Sequence, residues 1–436
     1  MGDGQDTTAP AGAAVQRRPE LDAIRTLVVV GLVFFHSALV FDARDDYYVK
    51  NADTTEVTTI LSGLAVVWAM PALFLIAGFG ARHSLRRRGP GRFAAERLRR
   101  LGVPLLFALV ALLPVPQWLR LKAADPGYHE SYWRFLPRFF DVRFEPGEFP
   151  FVLQGEHFET GHLWFVVLLL AWALLLAGAA RVLPADRMRR LRDRLAASIG
   201  HRGMVLLLPA LPLALISALD GMEEGLAGWS RWAYLLFFAY GFVLATDERF
   251  RDAMRRDAVL AAVAGVVLMA VGMPLFFMIS QGGGDPFTDL TRPALTMRAL
   301  YGMTGWCWVV AILGLLDRRQ VARRERRPAA GAVAAPTHAE AGDGQPDLTR
   351  RSYLYLALGA LPVYVLHQPI VVAVAYGVVS WQAPIAVKYA ALVAIAIVLT
   401  VAAYDLLVRR TRITRFLFGM REPAAVRPNT TDRPGE

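Results

Sequence analysis

The sequence predicts an all-α fold, a polytopic membrane helix bundle of about ten transmembrane helices with both termini in the cytoplasm. Of its 436 residues, 55% are hydrophobic and the mean hydropathy is +0.37, whereas soluble domains contain about 45–50% apolar residues. The apolar residues form blocks of about 20, the length that crosses a bilayer as a helix. Arg-rich clusters separate these blocks. These features exclude a soluble enzyme, a secreted disulfide scaffold and a disordered chain.

Ten apolar segments are predicted to span the membrane. They cover residues 23–41, 57–80, 98–118, 162–180, 203–219, 232–246, 258–279, 295–316, 353–380 and 385–408. An even number places both termini on one side. The segments on that side carry 37 of the 48 Lys and Arg residues, and the segments on the other side carry 11. The positive-inside rule therefore predicts cytoplasmic termini in the plasma membrane.

The rest of the chain is predicted to be tails and one linker. Residues 1–19 and 421–436 are polar and are expected to be disordered cytoplasmic tails. Residues 20–420 form the predicted integral membrane domain, which contains a flexible Ala/Gly/Pro-rich cytoplasmic linker at 328–349. No small-residue cleavage site follows the first span, so we expect that span to be retained.

Charge and cysteine content exclude two further features, a nucleic-acid partner and an internal disulfide. The net charge is +11 at pH 7, but charges at the ends of apolar spans act as topology signals, so no nucleic-acid partner is expected. Arg outnumbers Lys by 45 to 3, a codon bias typical of a high-GC bacterium. Cys307 is the single cysteine, which excludes an internal disulfide.

The first span carries three ionisable residues, Asp22, Arg25 and His36. His36 lies about 20° from alignment with Arg25 on a helix, and Asp22 lies about 40° to the other side, so all three share one face. His36 is predicted roughly 16 Å along the axis from Arg25, beyond the membrane midplane. Ionisable groups inside spans indicate function by default, and an imidazole suits general base catalysis near neutral pH. The alternative is a histidine that only hydrogen-bonds a neighbouring helix.

Arg97 and Arg100 begin the third span as i, i+3 neighbours. Two guanidinium groups at this spacing can bind phosphate oxygens bidentately. An ordinary positive-inside flank remains the alternative, because the preceding residues are equally basic.

His162 and Trp164 lie where the fourth span enters the membrane from the outer side. They either face a substrate or anchor the helix at the interface. The preceding outer loop, residues 119–161, is rich in aromatic residues, which predicts an interfacial belt or a carbohydrate-stacking surface.

A fourth candidate group lies in the ninth span, where Pro362 and Pro369 are seven residues apart. These prolines loosen the backbone hydrogen bonding, and such backbone must line protein or a water-filled cavity. Tyr364 and His367 share a face, and Gln368 follows them. Their alternative role is to satisfy the freed backbone groups. No zinc-type spacing, Walker loop or Gly-x-Ser-x-Gly motif is present, so no metal is expected.

Taken together, these motifs resemble the acyltransferase type 3 family of integral membrane proteins over residues 20–418. The matching runs, in chain order, are Glu20-Leu21-Asp22-Ala23-Ile24-Arg25 followed by His36, Met70-Pro71-Ala72-Leu73-Phe74-Leu75-Ile76-Ala77-Gly78-Phe79, the pair Arg97 and Arg100, His162-Leu163-Trp164-Phe165, and Tyr364-Val365-Leu366-His367-Gln368-Pro369. The second and third spans look closest to the branch that includes periplasmic-glucan succinyltransferases. Unlike some members, this chain carries no fused extracytoplasmic hydrolase-type domain.

The resemblance implies an acyl-CoA-dependent enzyme of the cell membrane. Its donor, such as acetyl-CoA or succinyl-CoA, would be bound from the cytoplasm by Arg97 and Arg100, and its acceptor would be a hydroxyl of an extracytoplasmic glycan or glycoconjugate. His36 would be catalytic as base or acyl carrier, with Arg25 required alongside it. Asp22, His162, Trp164, Tyr364, His367 and Gln368 would lie on the acceptor side or line the pore.

Two alternative functions stay open at this point. A transporter or flippase of a glycolipid or small metabolite would also have about ten spans and a polar interior. Within the enzyme class, the acceptor could instead be a secondary metabolite such as a macrolide.

Overall fold

The computed structural model describes residues 19–325 and 348–420. The predicted tails at 1–19 and 421–436 and the predicted linker at 328–349 fall almost entirely outside the described residues. Within them, the prediction of an all-α fold is confirmed. The helices are α1 Pro19–Leu39, α2 Glu56–Val66, α3 Ala69–Arg97, α4 Val103–Ala111, α5 Pro114–Ala124, α6 Tyr132–Phe139, α7 Trp164–Val182, α8 Ala185–Ser198, α9 Met204–Leu219, α10 Arg231–Leu244, α11 Glu248–Gln281, α12 Arg292–Glu325, α13 Leu348–Val378, α14 Ile385–Ala403 and α15 Arg412–Leu417.

Seven helical segments of the described chain are long and apolar enough to cross a bilayer. They are Glu20–Leu39, Glu56–Ala124, Gly161–Val182, Glu248–Gln281, Arg292–Ala322, Gly359–Val378 and Ile385–Val408. All ten predicted segments are helical, but α9 and α10 contain only 16 and 14 residues. The total of ten spans therefore stays a prediction.

The segment Glu56–Ala124 differs most from its prediction. Its 69 residues would extend about 100 Å as one helix, more than three times the hydrocarbon thickness. The chain breaks at Val67–Trp68, between α2 and α3, and again at Gly89, whose φ of 72° lies in the left-handed region that glycine adopts readily. Residues 81–97, predicted as a loop, are thus mostly helical, because Arg-rich sequence outside an apolar run is still compatible with a helix.

The chain from α3 into α4 passes through a π-helical turn, Leu98–Gly102. This turn follows Arg97 directly and contains Arg100. Because a π-turn holds more residues than an α-turn, it changes the i, i+3 arrangement that a regular α-helix would give these two arginines. Single π-turns inside α-helices are frequent at functional sites.

Helix packing brings distant parts of the sequence together around α3 and α13. Helix α1 packs against α13, α3 packs against both α7 and α10, and α11 packs along α12. The contact between α3 and α10 is very close, since a Cβ on Gly78 would lie 1.9 Å from the Phe238 carbonyl oxygen. A Cβ on Gly241 would lie equally close to the Leu75 carbonyl oxygen, so each helix presents glycine to the other's backbone.

The bundle has two unlike ends. The arginine-rich end carries the basic clusters of α3, α8, α11 and α12, whereas the loop end is formed by residues 40–55, 125–160, 220–230 and 282–291. At the loop end, a short antiparallel hairpin pairs strands β1 (Arg143–Phe144) and β2 (Leu153–Gln154). Two residues of the aromatic loop, Phe135 and Phe139, have neither predicted role, because they are fully buried and belong to the main hydrophobic core.

Candidate active site

Three histidine side chains from three distant parts of the chain meet near the loop end of the bundle. His36 lies on α1, His162 lies in the 3-10 turn Gly161–Leu163 that precedes α7, and His367 lies on α13. The His367 ring centroid is 5.1 Å from that of His36 and 5.2 Å from that of His162. The other pair is 6.4 Å apart. In the sequence these residues are separate candidates, and the structure joins them into one histidine cluster.

Backbone carbonyls assign the proton positions of two of these rings. His367 Nδ1 lies 2.6 Å from the Tyr364 carbonyl oxygen, and His162 Nε2 lies 3.2 Å from the Val365 carbonyl oxygen. Since a carbonyl only accepts, each of these nitrogens donates its proton. The opposite nitrogens, His367 Nε2 and His162 Nδ1, are buried without a hydrogen-bond partner, as is His36 Nδ1. Each of the first two rings therefore directs a basic lone pair into the protein interior.

Pro369 in α13 leaves the Val365 carbonyl free to accept a hydrogen bond from His162. Pro369 lacks the N–H that would bond to the Val365 carbonyl four residues earlier. That carbonyl accepts from His162 instead, while the Tyr364 hydroxyl donates to the His162 carbonyl. The broken helix bonding predicted for this span is thus satisfied by the start of α7, which fixes His162 against α13.

A cavity of about 280 Å³ adjoins the cluster, and we call it the catalytic cavity. His36, His162, Trp164 and Tyr364 line it together with apolar residues of α1, α2 and α3. The Trp164 ring stacks on Tyr234 at 5.2 Å, which holds the indole at the cavity wall. Next to it, Gln368 is 1% exposed, and its Oε1 has no hydrogen-bond partner.

The loop that follows α1 covers the cluster. Tyr47 stacks on His36 with ring centroids 5.9 Å apart, and Tyr48 donates a hydrogen bond to Glu159. Burial raises the pKa of Glu159 to about 7. Burial also raises the pKa of Tyr47, and the charges of Asp45 and Glu159 add to this effect.

Sequence reasoning missed Tyr47, Tyr48 and Glu159. One signal was present, because Glu159 lies three residues before His162. The tyrosines carried no comparable signal, since nothing in a loop sequence indicates that it folds back over the preceding helix.

A second cavity, of about 500 Å³, opens beside the catalytic cavity at the loop end. The two cavities share Phe35, Val66 and Ala227. Methionine and phenylalanine side chains of α11 and α12 form much of the wall of this loop-end cavity, and Asp45 lines it as well. Burial and the nearby Asp42 carboxylate raise the pKa of Asp45 to about 6.

The remaining predicted residues lie at the arginine-rich end. Asp22 and Arg25 form an ion pair on α1, and the helix rise separates Arg25 from His36 by about 16 Å along the axis. The Arg97 guanidinium lies 5.0 Å from the Phe93 ring centroid, and Arg100 Nη1 lies 3.7 Å from Glu96 Oε1. The structure therefore separates two groups of candidate residues, one at each end of α1.

Across residues 19–325 and 348–420, no group of three or more His, Cys, Asp or Glu side chains is placed to hold a metal ion. The histidine cluster instead combines unpartnered ring nitrogens with a cavity, an arrangement suited to moving a proton at a bound molecule.

The fold and the site define an α-helical membrane protein with a cluster of three histidines, of which His162 and His367 are buried. Residues 18–409 match the family profile described as an acyltransferase domain. The chain therefore belongs to the acyltransferase type 3 family, which makes it a membrane acyltransferase. Comparisons with the curated proteins and with the solved structures gave no match.

Proposed function

We propose that this enzyme transfers an acyl group from a cytoplasmic acyl-CoA to a hydroxyl of an extracytoplasmic carbohydrate or glycoconjugate. The observation that carries the proposal is the histidine cluster beside the catalytic cavity. Basic nitrogens are available there, and the cavity has room for a reacting hydroxyl and thioester.

The proposal includes an orientation in the bacterial plasma membrane. The arginine-rich end faces the cytoplasm and the loop end faces outward, as the 37 to 11 division of basic residues predicts. Ten spans with both termini inside are consistent with this placement. The histidine cluster then lies beyond the membrane midplane, on the acceptor side.

The donor enters from the arginine-rich end. Arg97 and Arg100 bind the CoA phosphates, because guanidinium groups pair with phosphate oxygens through charge-assisted hydrogen bonds. The acyl-pantetheine arm extends through the bundle along α1 toward His36. Along the axis of α1, His36 lies about 16 Å from Arg25. Acetyl-CoA and succinyl-CoA are the donors to test first. Arg25 acts on the donor path through its ion pair with Asp22.

The transfer step needs a base at the acceptor hydroxyl. A ring nitrogen of His36 takes the hydroxyl proton, and the oxygen attacks the thioester carbonyl. The carbon–sulfur bond then breaks, and the CoA thiolate receives the proton from the imidazolium. His162 and His367 pack against His36 and orient its ring. The unpartnered nitrogens His162 Nδ1 and His367 Nε2 are further basic groups beside it. Transient acylation of His36 is the alternative route to the same products.

The test compares wild type, His36→Ala and His129→Ala in membrane vesicles. His129 is an exposed histidine of the outer loop, so it is a matched control. The assay measures release of free CoA thiol from several acyl-CoAs, with a crude envelope-glycan extract as acceptor. We expect His36→Ala to lower the rate about 10²–10⁴-fold, the usual contribution of a catalytic base, while His129→Ala matches wild type.

Two results would contradict the proposal. Equal rates for His36→Ala and wild type, at equal membrane insertion, would remove His36 from the chemistry. No CoA release with any donor would contradict acyl-CoA as the acyl donor of this membrane acyltransferase.

A further inference from the structure

A third cavity opens toward the lipid between α1, α2 and the start of α14. It has a volume of about 560 Å³, and we call it the lateral groove. It shares Gly31, Phe35 and Ala65 with the catalytic cavity. It also shares Phe35 and Ser62 with the loop-end cavity. Three cavities therefore meet around the short helix α2.

The lateral groove lies within one leaflet. Along α1 its lining runs from Gly31 to Ala38, about 10 Å at helical rise, and half the hydrocarbon thickness is about 15 Å. It ends at Ile385, the first residue of α14 at the loop end. The lining side chains Val57 and Leu61 are 63% and 59% exposed, as expected of surfaces that contact acyl chains.

The inner side of the groove is unlike an ordinary lipid-facing surface. Ser62 is 8% exposed, and its hydroxyl has no hydrogen-bond partner although it lines both the groove and the loop-end cavity. At Gly31, an added Cβ would meet no atom within 4 Å, so the passage to the catalytic cavity is open there. The unpartnered Ser62 hydroxyl beside this passage can form a hydrogen bond with a polar headgroup that moves out of the lipid.

We propose that the lateral groove admits a lipid-anchored acceptor to His36. The hydrocarbon chain of this amphiphile lies in the groove, and its hydroxyl-bearing headgroup enters the catalytic cavity between α1 and α2. The inference rests on the proposed function and specifies its substrate class: a glycolipid-like acceptor delivered from the outer leaflet.

The position of the groove favours the acceptor over the donor as its occupant. The groove opens in the leaflet at the loop end, whereas the phosphate-binding arginines lie at the opposite end. The loop-end cavity, with Met and Phe walls and carboxylates at Asp45 and Asp285, adjoins the same passage and has room for an amphiphilic headgroup.

Two adjacent residues of α14 provide a matched pair of variants. Ala386 lines the groove, so Ala386→Trp fills it. Val387 is 53% exposed and does not line it, so Val387→Trp places the same indole side chain on the lipid-facing surface instead. Native membranes carrying each variant are supplied with carbon-14-labelled acetyl-CoA or succinyl-CoA, and the label is separated into butanol-soluble and water-soluble products.

We expect the label in the butanol phase, with Ala386→Trp at least fivefold below wild type and Val387→Trp within twofold of it. Label confined to water-soluble glycans would overturn the lipid-anchored acceptor, and equal rates for the two variants would overturn the route. A changed preference between acetyl-CoA and succinyl-CoA in Ala386→Trp would overturn the acceptor as occupant and assign the groove to the donor acyl group. Absence of label in every fraction would contradict the proposed function itself.

A second measurement does not depend on activity. A dodecyl β-glucoside with a diazirine at the end of its chain is photolysed with the protein in nanodiscs, and the labelled peptides are mapped. Preferential labelling of α1, α2 and the start of α14, lost in Ala386→Trp but kept in Val387→Trp, supports the groove as an amphiphile site. Labelling no stronger than on the lipid-facing surface of α11 contradicts it.

Discussion

At the scale of single residues, the site depends on which ring nitrogen of each histidine carries the proton. Pro369 frees the Val365 carbonyl, and that carbonyl orients His162. His367 is oriented by the Tyr364 carbonyl of its own helix. A residue that cannot donate a backbone hydrogen bond thus contributes to the tautomer of a histidine on another helix.

His367→Asn separates orientation from basicity. The Asn amide can still donate to the Tyr364 carbonyl as Nδ1 does, but it has no basic nitrogen in place of Nε2. We expect the transfer rate to fall about a hundredfold, while the thermal unfolding midpoint in detergent changes by less than about 2 °C. An unchanged rate would assign His367 a purely structural role.

Glu159→Gln tests the carboxyl group that lies over the cluster. Burial raises the folded-state pKa of Glu159 to about 7 from 4.5, so the folded protein binds a proton that the unfolded chain releases between these values. Wild-type stability should therefore fall as pH rises from about 4.5 to 7. The Gln variant should lack this component, so the difference between the two unfolding midpoints should grow across that window. Parallel curves from pH 4 to pH 8 would contradict this assignment.

At the scale of helices, two features lead to testable predictions: the close α3–α10 contact, which concerns stability, and the π-turn, which concerns the proposed donor site. The α3–α10 contact depends on the absence of a side chain at Gly78, whereas Gly80 on the same helix has no atom within 4 Å of an added Cβ. The two glycines differ only in the helix face they occupy.

Gly78→Ala and Gly80→Ala should therefore differ in their effect on the free energy of unfolding. Gly78→Ala should destabilise the protein by about 1–3 kcal/mol or more, because α10 must move to avoid the Phe238 carbonyl. Gly80→Ala should be neutral or slightly stabilising, since alanine favours a helix. Thermal unfolding in detergent measures both. Equal midpoints for the two variants would mean that the helices separate without cost.

The π-turn Leu98–Gly102 contains Arg100, a residue of the proposed donor site. Arg100→Gln should raise the KM for acyl-CoA about tenfold, the expected effect of losing one charged hydrogen bond, with a smaller change in kcat. Arg99→Gln is the control, because Arg99 is an exposed residue of the same turn. Equal effects of the two substitutions would indicate a general basic flank instead of a binding site.

At the scale of the whole molecule, hydropathy and charge predicted the helical class because bilayer thickness and backbone hydrogen bonding leave few solutions. Every predicted span falls on helical structure, although 57–80 and 98–118 each cover more than one helical element. Hydropathy and charge missed the break at Gly89 and the continuation of α3 through residues 81–97, since helices extend beyond the hydrocarbon. Each histidine was identified from the sequence. Their contact in one cluster depends on packing between α1 and α13, which cannot be predicted from a single sequence. The cover formed by Tyr48 and Glu159 depends on loop packing of the same kind.

The orientation of the bundle is tested with single cysteines. In a Cys307→Ala background, Ser131→Cys lies in the outer loop and Ser198→Cys lies at the end of α8, and both serines are exposed. An impermeant maleimide added to intact cells should label the first site and reach the second only after permeabilisation. The reverse pattern would invert the topology and place the histidine cluster on the cytoplasmic side.

The shortness of α10 has a consequence for biogenesis. Its 14 residues extend about 21 Å, less than the hydrocarbon thickness of about 30 Å. If α10 is one of the ten predicted spans, it would on its own leave terminal peptide groups in lipid. Its glycine-lined partner α3 emerges from the ribosome more than a hundred residues earlier. For such a span, α3 is the docking surface that is already made when α10 leaves the ribosome, so we expect α10 to insert against α3.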